Sequence, residues 1–258
     1  MKQVYNEESR EAKTQILTSD GSYTLYSTEF DEPYHSDRDG ALFESLQKHV
    51  IPAFRLKSSE RRLAILDICY GLGYNTLATL YYIKKHQLKI DIEIVSPEFD
   101  RGLIESLAIF DYPIEFKSFR DIIEHLSQNF YYRDDDISIE ILIGDARESI
   151  PQLTQKFDIV YQDPFSPSSN PLLWTREYFQ DIRRVVKDDA ILTTYSVAAA
   201  VRMALDESGF ELFFVNNQNM RDSMVASPTM IDEFKYIDME LKKRRNPTAK
   251  SLRDEMFF

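Results

Sequence analysis

Four short stretches of this 258-residue chain carry residue types suited to holding a nucleoside and steering a nucleophile. The first is Asp67-Ile68-Cys69-Tyr70-Gly71-Leu72-Gly73-Tyr74-Asn75-Thr76, where two glycines let the backbone turn tightly and approach a ligand that a Cβ would hit. The third glycine of a dinucleotide fingerprint is missing, with Thr76 in its place, which weakens a nicotinamide reading. The second is Glu98, after Ser96-Pro97, either a carboxylate that accepts hydrogen bonds from ribose hydroxyls or a surface or capping residue. The third is Gly144-Asp145-Ala146, where Asp145 suits the exocyclic amine of adenine or the cap of a helix over 147–153. Taken in order, a glycine turn, a ribose acid and an adenine acid describe an adenosine-bearing ligand. The fourth is Asp163-Pro164-Phe165-Ser166-Pro167, either a plain turn or a loop stiffened by two prolines that aims Asp163 into the same crevice. A carboxylate there can orient an amine and draw off its proton, leaving a lone pair aligned about 3 Å from an electrophilic carbon.

These stretches gain meaning from the elements that must place them. Apolar runs at 63–68, 90–95, 137–143, 157–162, 190–195, 210–215 and 223–226 predict strands, and 76–85, 101–110, 119–129, 175–186 and 197–207 predict helices between them. Such alternation implies a Rossmann-like α/β fold with a mostly parallel seven-stranded sheet and helices on both faces. The four chemical stretches each follow an apolar run, at the carboxyl ends of strands where open α/β sheets bind ligands. Ahead of the core, residues 14–28 alternate around Asp20-Gly21 as a hairpin, and Leu42, Phe43, Leu46 and Val50 mark one face of a helix over 40–50 that Pro52 should end. We therefore expect a hairpin-and-helix extension or lid over 1–55, the core over 56–235 and a charged tail over 236–258, with 241–258 a loosely packed helix.

Composition narrows the class. No run approaches the roughly 18 to 20 apolar residues that span a bilayer, and Met1 to Arg10 is polar where a secretory signal would be apolar, so a cytoplasmic location without membrane contact is expected. A lone cysteine, Cys69, and four histidines, His35, His49, His86 and His125, offer no metal-ligand spacing, so no metal site is expected. A net charge of -12 argues against coating nucleic acid by bulk electrostatics. It leaves room for local basic patches at Arg55, Lys57, Arg61 and Arg62, at Arg183, Arg184 and Lys187, or at Lys242 to Arg245, each of which reads equally as a solvated face.

The Asp163-Pro164-Phe165-Ser166-Pro167 loop resembles the acid-proline-aromatic motif of methyltransferases that act on amino groups. A wider set of residues resembles the MnmC-like tRNA methyltransferases over roughly residues 14 to 226. The set comprises Thr18 to Leu25, Glu32-Pro33-Tyr34-His35-Ser36, Gly40-Ala41, Gly71 to Asn75, Asn170 to Thr175, Thr194-Tyr195-Ser196, Val201-Arg202 and Gly209-Phe210. The resemblance implies a class I S-adenosylmethionine-dependent methyltransferase that converts the aminomethyl arm of a tRNA wobble uridine to its methylaminomethyl form. It implies that Asp67, Gly71, Gly73, Asn75, Glu98 and Asp145 surround S-adenosylmethionine, with Tyr34, His35 and Ser36 in the wall nearby, although His35 also fits a structural role. Asp163 would serve the amine, and Phe165, Trp174, Tyr195 and Arg202 would receive a base splayed from the anticodon loop.

The family commonly has glycine and phenylalanine where Cys69 and Tyr70 stand, and a lysine-arginine pair where Met220-Arg221-Asp222 stands. The chain is shorter than relatives with a fused flavin oxidase domain, so a separate enzyme is expected to make the aminomethyl substrate. Two other functions are compatible with the same residues: a methyltransferase for a small cationic amine, which the acidic composition suits, and a non-catalytic module that binds an adenosine ligand.

Overall fold

The computed structural model describes residues 13–217 and 220–258, so part of the expected 1–55 extension, residues 1–12, lies outside the described residues. The chain opens with a small antiparallel sheet, β1 (Thr14–Leu17), β2 (Tyr23–Ser27) and β3 (Glu32–Pro33). Helices α1 (Ala41–Glu44) and α2 (Ile51–Lys57) follow, joined by a π turn over Ser45–Val50. Pro52 does not end this helix. It sits in the first turn of α2, and the widened π turn ahead of it, in which Ile51 N–H donates to Leu46 O, accommodates the ring and the missing donor.

The core then alternates strand and helix: β4 (Arg62–Ile68), α3 (Tyr74–His86), β5 (Asp91–Glu98), α4 (Arg101–Ser106), α5 (Arg120–Asn129), β6 (Tyr131–Arg133), β7 (Ile137–Ile143) and α6 (Ala146–Ser149). It continues with β8 (Phe157–Gln162), α7 (Arg176–Val185), β9 (Val186–Thr194), α8 (Ala199–Glu207), β10 (Glu211–Val215), β11 (Ser223–Ser227), β12 (Lys235–Tyr236) and α9 (Met239–Arg245). The large sheet has the order β12-β10-β11-β9-β8-β4-β5-β7-β6. β7, β5, β4, β8 and β9 run parallel, and β11 is antiparallel to both β9 and β10. Seven strands are those expected, and the short β6 and β12 extend the two edges.

Period-two alternation sends successive side chains to opposite faces of the sheet. Leu63 and Ile65 of β4 therefore join one core layer with Val50, Phe54 and Leu77, while Leu66 and Ile68 join the other with Trp174, Phe179 and Leu192. Burying each such side chain contributes roughly 1.5–3 kcal/mol relative to exposure. Because Val50 and Phe54 are in the same layer as β4, the helical part of the extension belongs to the core and is not a separate lobe. The hairpin is tied down by polar contacts: Asp20 Oδ2 accepts from Phe43 N–H at 2.9 Å, and Tyr74 Oη donates to Tyr23 O at 2.7 Å.

The C-terminal segment departs from the expectation of a loose helix. Only Met239–Arg245 and a short turn over Asp254–Met256 are helical, and the remainder is pinned to α7 and α6. Arg253 Nε donates to Glu177 at 2.7 Å, Arg176 N–H donates to Leu252 O at 2.9 Å, and Arg147 forks onto the Asp254 carboxylate.

Candidate active site

Strand order reverses at β4, with β5 on one side and β8 on the other, and the crevice opens at the carboxyl ends of these strands. A cavity of about 330 Å³ lies there. Its wall contains Tyr34, His35, Ser36, Gly71, Asn75, Glu98, Asp145, Asp163, Phe165 and Tyr195, so residues up to 161 positions apart in the sequence (195 − 34) converge on one space. Asp67 and Gly73 lie directly behind this wall, and Arg202 and Trp174 do not reach it.

The glycine turn after β4 is built as the sequence suggests. Gly71 and Gly73 have φ of 54° and 72°, and Cys69 shares this left-handed backbone at 62°. A non-glycine residue there carries strain of about 1–2 kcal/mol. Burial pushes the Cys69 thiol well up, so it stays protonated. Gly71 N–H donates to Glu98 Oε2 at 2.8 Å, and Asp100 N–H donates to Glu98 Oε1 at 2.8 Å. Glu98 thus locks the turn between β4 and α3 to the end of β5, and its remaining lone pairs are left for ribose hydroxyls. Burial raises its carboxyl, an effect those backbone donors partly offset. Asp145 caps α6, as one sequence reading has it, by accepting from Arg147 N–H at 2.8 Å, and it also lines the cavity.

Two buried acceptors, Asp67 Oδ1 and Asn75 Oδ1, lack donors. With the glycine turn, Glu98 and Asp145, which stand after β4, at the end of β5 and after β7 in that order across the sheet, they fit a ligand that brings ribose hydroxyls, an adenine amine and an ammonium group. Burial drives the Asp67 carboxyl from its ordinary 3.8 up to about 8, against the pull of a hydrogen bond from Thr76. A folded-state value above the unfolded one means that this group's stabilising contribution is complete below about pH 4 and is lost as pH rises toward 8. We expect Asp67→Asn, which cannot ionise, to melt above the wild type at about pH 8.5 and to converge with it near pH 4. Thermal scans of the ligand-free protein that run parallel across this range would show that Asp67 is ionised throughout.

Asp163, just beyond β8, sits at the other end of the cavity and is 11% exposed. Asn75 Nδ2 donates to its Oδ2 at 2.9 Å, and His49 Nε2 stands 3.3 Å from its Oδ1. Burial alone would push this carboxyl up, but the charge and hydrogen bond of His49, the charge of His35 and the Asn75 amide bring it below its ordinary value. Asp163 is therefore an anion that retains a proton poorly. Burial draws the imidazole of His35, in the same wall, below its ordinary value, against the carboxylates of Asp163 and Glu44.

The loop that carries Asp163 is braced on three sides. Tyr195 Oη donates to Pro164 O at 2.8 Å, and Trp174 Nε1 donates to Phe165 O at 2.8 Å. Glu32 of β3 accepts from Ser166 N–H at 3.0 Å and from Ser169 Oγ at 2.7 Å, which clamps the hairpin onto the loop. Phe165 stacks on Phe30 at 4.3 Å between ring centroids and meets the Tyr34 ring edge-on at 4.9 Å. Trp174 is fully buried, so the structure places it as a brace beneath the loop, away from any base in the cavity. Arg202 donates to Val197 O and steadies the start of α8. Among the proposed basic patches, Lys57 is buried against Asp189, and Arg183, Arg184 and Lys187 pair with Asp188, Asp181 and Asp158.

Sequence reasoning passed over His49 and Glu32. His49 follows Leu46 by three and Leu42 by seven, the spacing of one helical face, and a lone polar residue on that stripe is the signal that could have marked it.

Comparison with known proteins agrees with this geometry. Residues 116–227 match the family described as S-adenosyl-L-methionine-dependent methyltransferase. An uncharacterised protein of Methanocaldococcus jannaschii is 32% identical over 207 residues, 79% of this chain and 56% of its own length. The tRNA 5-methylaminomethyl-2-thiouridine biosynthesis bifunctional protein MnmC of an Azoarcus species is 30% identical over 204 residues, 73% of this chain and 31% of its own. The chain thus spans little more than half of the first relative and about a third of the second. The crystal structure of MnmC2 from Aquifex aeolicus superposes with a TM-score of 0.81 at 31% identity, covering 97% of this chain and 81% of that one. Among the described residues no helix is long and apolar enough to cross a membrane.

Proposed function

Because the chain belongs to the family of MnmC-type methyltransferase domains, which are S-adenosyl-L-methionine-dependent, we propose that it methylates the aminomethyl group of a tRNA wobble uridine in the cytoplasm. The observation that carries this reading is Asp163, an anion that accepts from Asn75 at one oxygen and has the His49 imidazole 3.3 Å from the other, while the carboxylate faces the cavity that Glu98 and Asp145 also line. S-adenosylmethionine supplies an electrophilic methyl group at this site. Asn75 offers a free acceptor to its ammonium, Glu98 to its ribose and Asp145 to its adenine. Asp163 accepts the amine's N–H bonds and turns the nitrogen lone pair into the cavity. The aromatic wall of Tyr34, Phe165 and Tyr195 encloses the arm and excludes water.

The identity of the amine comes from the relatives, one of which is named for tRNA 5-methylaminomethyl-2-thiouridine biosynthesis. A single-stranded anticodon base can leave its stack and enter such a pocket at a cost of a few kcal/mol. The aminomethyl arm would be made by a separate activity. The reading is tested by incubating the protein and labelled S-adenosylmethionine with tRNA from cells that lack this methyltransferase step, followed by nucleoside mass spectrometry. The expected product is methylaminomethyl-uridine. Transfer to polyamines but not to this tRNA would assign the site to small amines.

A further inference from the structure

Behind Asp163 stands a polar group that the steps above leave unused. His49 is fully buried, on the π turn between α1 and α2. An i→i+5 turn holds one more residue than an α turn, so it rotates the positions that follow, and such turns recur at functional sites. Its Nδ1 lies 3.0 Å from Thr193 Oγ1 on β9, and its Nε2, a buried atom without a hydrogen-bond partner of its own, stands 3.3 Å from Asp163 Oδ1. The Tyr161 ring meets the imidazole edge-on at 5.8 Å, and Tyr161 and Thr193 are register partners on β8 and β9. The sheet therefore fixes both supports of the ring.

The tautomer follows from what each neighbour can do. A carboxylate only accepts, whereas a threonine hydroxyl donates or accepts. With the proton on Nε2, the imidazole donates to Asp163 and Thr193 donates to Nδ1, and both contacts are attractive. With the proton on Nδ1, a nitrogen lone pair would face a carboxylate, and that contact would be repulsive. We propose that His49 is a positioning residue for the reacting carboxylate: braced by Thr193, it presents Nε2–H to Asp163 Oδ1 and, with Asn75 on Oδ2, fixes the plane in which Asp163 meets the amine. This inference rests on the reading of Asp163 as the group that steers the substrate amine.

The test compares His49→Phe, which keeps a ring but no donor, with His49→Gln, whose amide reaches toward the same oxygen. A charge-assisted hydrogen bond that acts through orientation predicts a kcat about 10- to 100-fold lower for His49→Phe, with His49→Gln regaining most of the loss. S-adenosylmethionine affinity, measured by calorimetry, should stay within about threefold in both. A second readout needs no turnover: in ligand-free protein labelled with ¹⁵N in its imidazoles, the His49 signal should report the Nε2–H tautomer, exchange slowly, and move in Asp163→Asn. The Nδ1–H tautomer, or an unchanged kcat in His49→Phe, would overturn the proposal. If His49→Phe does not fold, Thr193→Val takes its place, with a mixed tautomer and a kcat loss expected and an unaltered tautomer counting against the idea. Should tRNA not be the substrate, the nuclear magnetic resonance result still decides whether His49 holds Asp163.

Discussion

Asp163→Asn is expected to lower kcat for methyl transfer by about 10²- to 10³-fold, the size of losing one prepositioned charged group at a reacting centre. The substitution keeps the shape of the side chain and an oxygen that can still accept from Asn75 or His49, so the fold should survive. What disappears is the negative charge that accepts the neutral amine's N–H bonds and so turns its lone pair toward the methyl group. The loss should fall on kcat, with S-adenosylmethionine affinity within about threefold of the wild type, roughly 0.6 kcal/mol, because Glu98 and Asp145 line the part of the cavity that suits the nucleoside. Single-turnover kinetics beside calorimetry separates the two. A parallel fall in cofactor affinity would move Asp163 into the cofactor wall, and an undiminished kcat would remove it from the chemistry.

The parts of this site that could be read in the sequence are those governed by local order. Gly71, Glu98, Asp145 and Asp163 each follow an apolar run, and in a parallel sheet the carboxyl ends of successive strands meet at one rim, so their order along the chain already places them together. His49 and Thr193 obey no such rule. They meet because a π turn rotates one helix position toward β9, and that turn depends on how the helix accommodates Pro52 and packs on the sheet. The same proline read as a stop because its usual cost inside a helix is large, about 3 kcal/mol, and a widened turn is one of the few ways to avoid it. The resemblance puts Trp174 in the substrate wall as an aromatic that would stack on a splayed base. Its burial follows from the layer formed with Phe179 and Tyr195, which only the assembled fold reveals. The C-terminal segment has a charged composition that suits a solvated tail, yet its charges find fixed partners in Glu177 and Arg147.

The clamp between Glu32 and the serines of the Asp163 loop gives the N-terminal hairpin a part in the active site. Phe30 stacks on Phe165, and Tyr34 stands 3.3 Å from where a Cβ on Gly71 would lie, so the hairpin touches both the Asp163 loop and the glycine turn. The extension thus closes a site that the parallel sheet alone leaves open along its rim. This explains why the segment from β1 to α1 carries so many polar residues in fixed contacts, Asp20 and Glu32 foremost.

Gly73→Ala should have the largest effect on ligand binding of any single methyl group added to the protein. The residue has φ of 72°, and an alanine Cβ there would stand 2.7 Å from Cε1, Cζ and Oη of Tyr70. The backbone penalty is about 1–2 kcal/mol, and displacing a ring packed in the core adds about 1–3. Tyr70 is 4% exposed and cannot swing into solvent, so the strain must move the turn itself. That turn carries Gly71, whose N–H is held by Glu98, and it opens α3, which carries Asn75 to Asp163. Both ends of the cavity therefore shift together. A melting point lower by roughly 5–15 °C is expected, along with S-adenosylmethionine affinity weaker by about 50-fold or more. A double-mutant cycle with Tyr70→Leu, which lacks the three clashing atoms, separates the contributions. If the clash dominates, Gly73→Ala should cost much less in the Tyr70→Leu background. Equal losses in both backgrounds would assign the whole effect to the left-handed backbone of the turn.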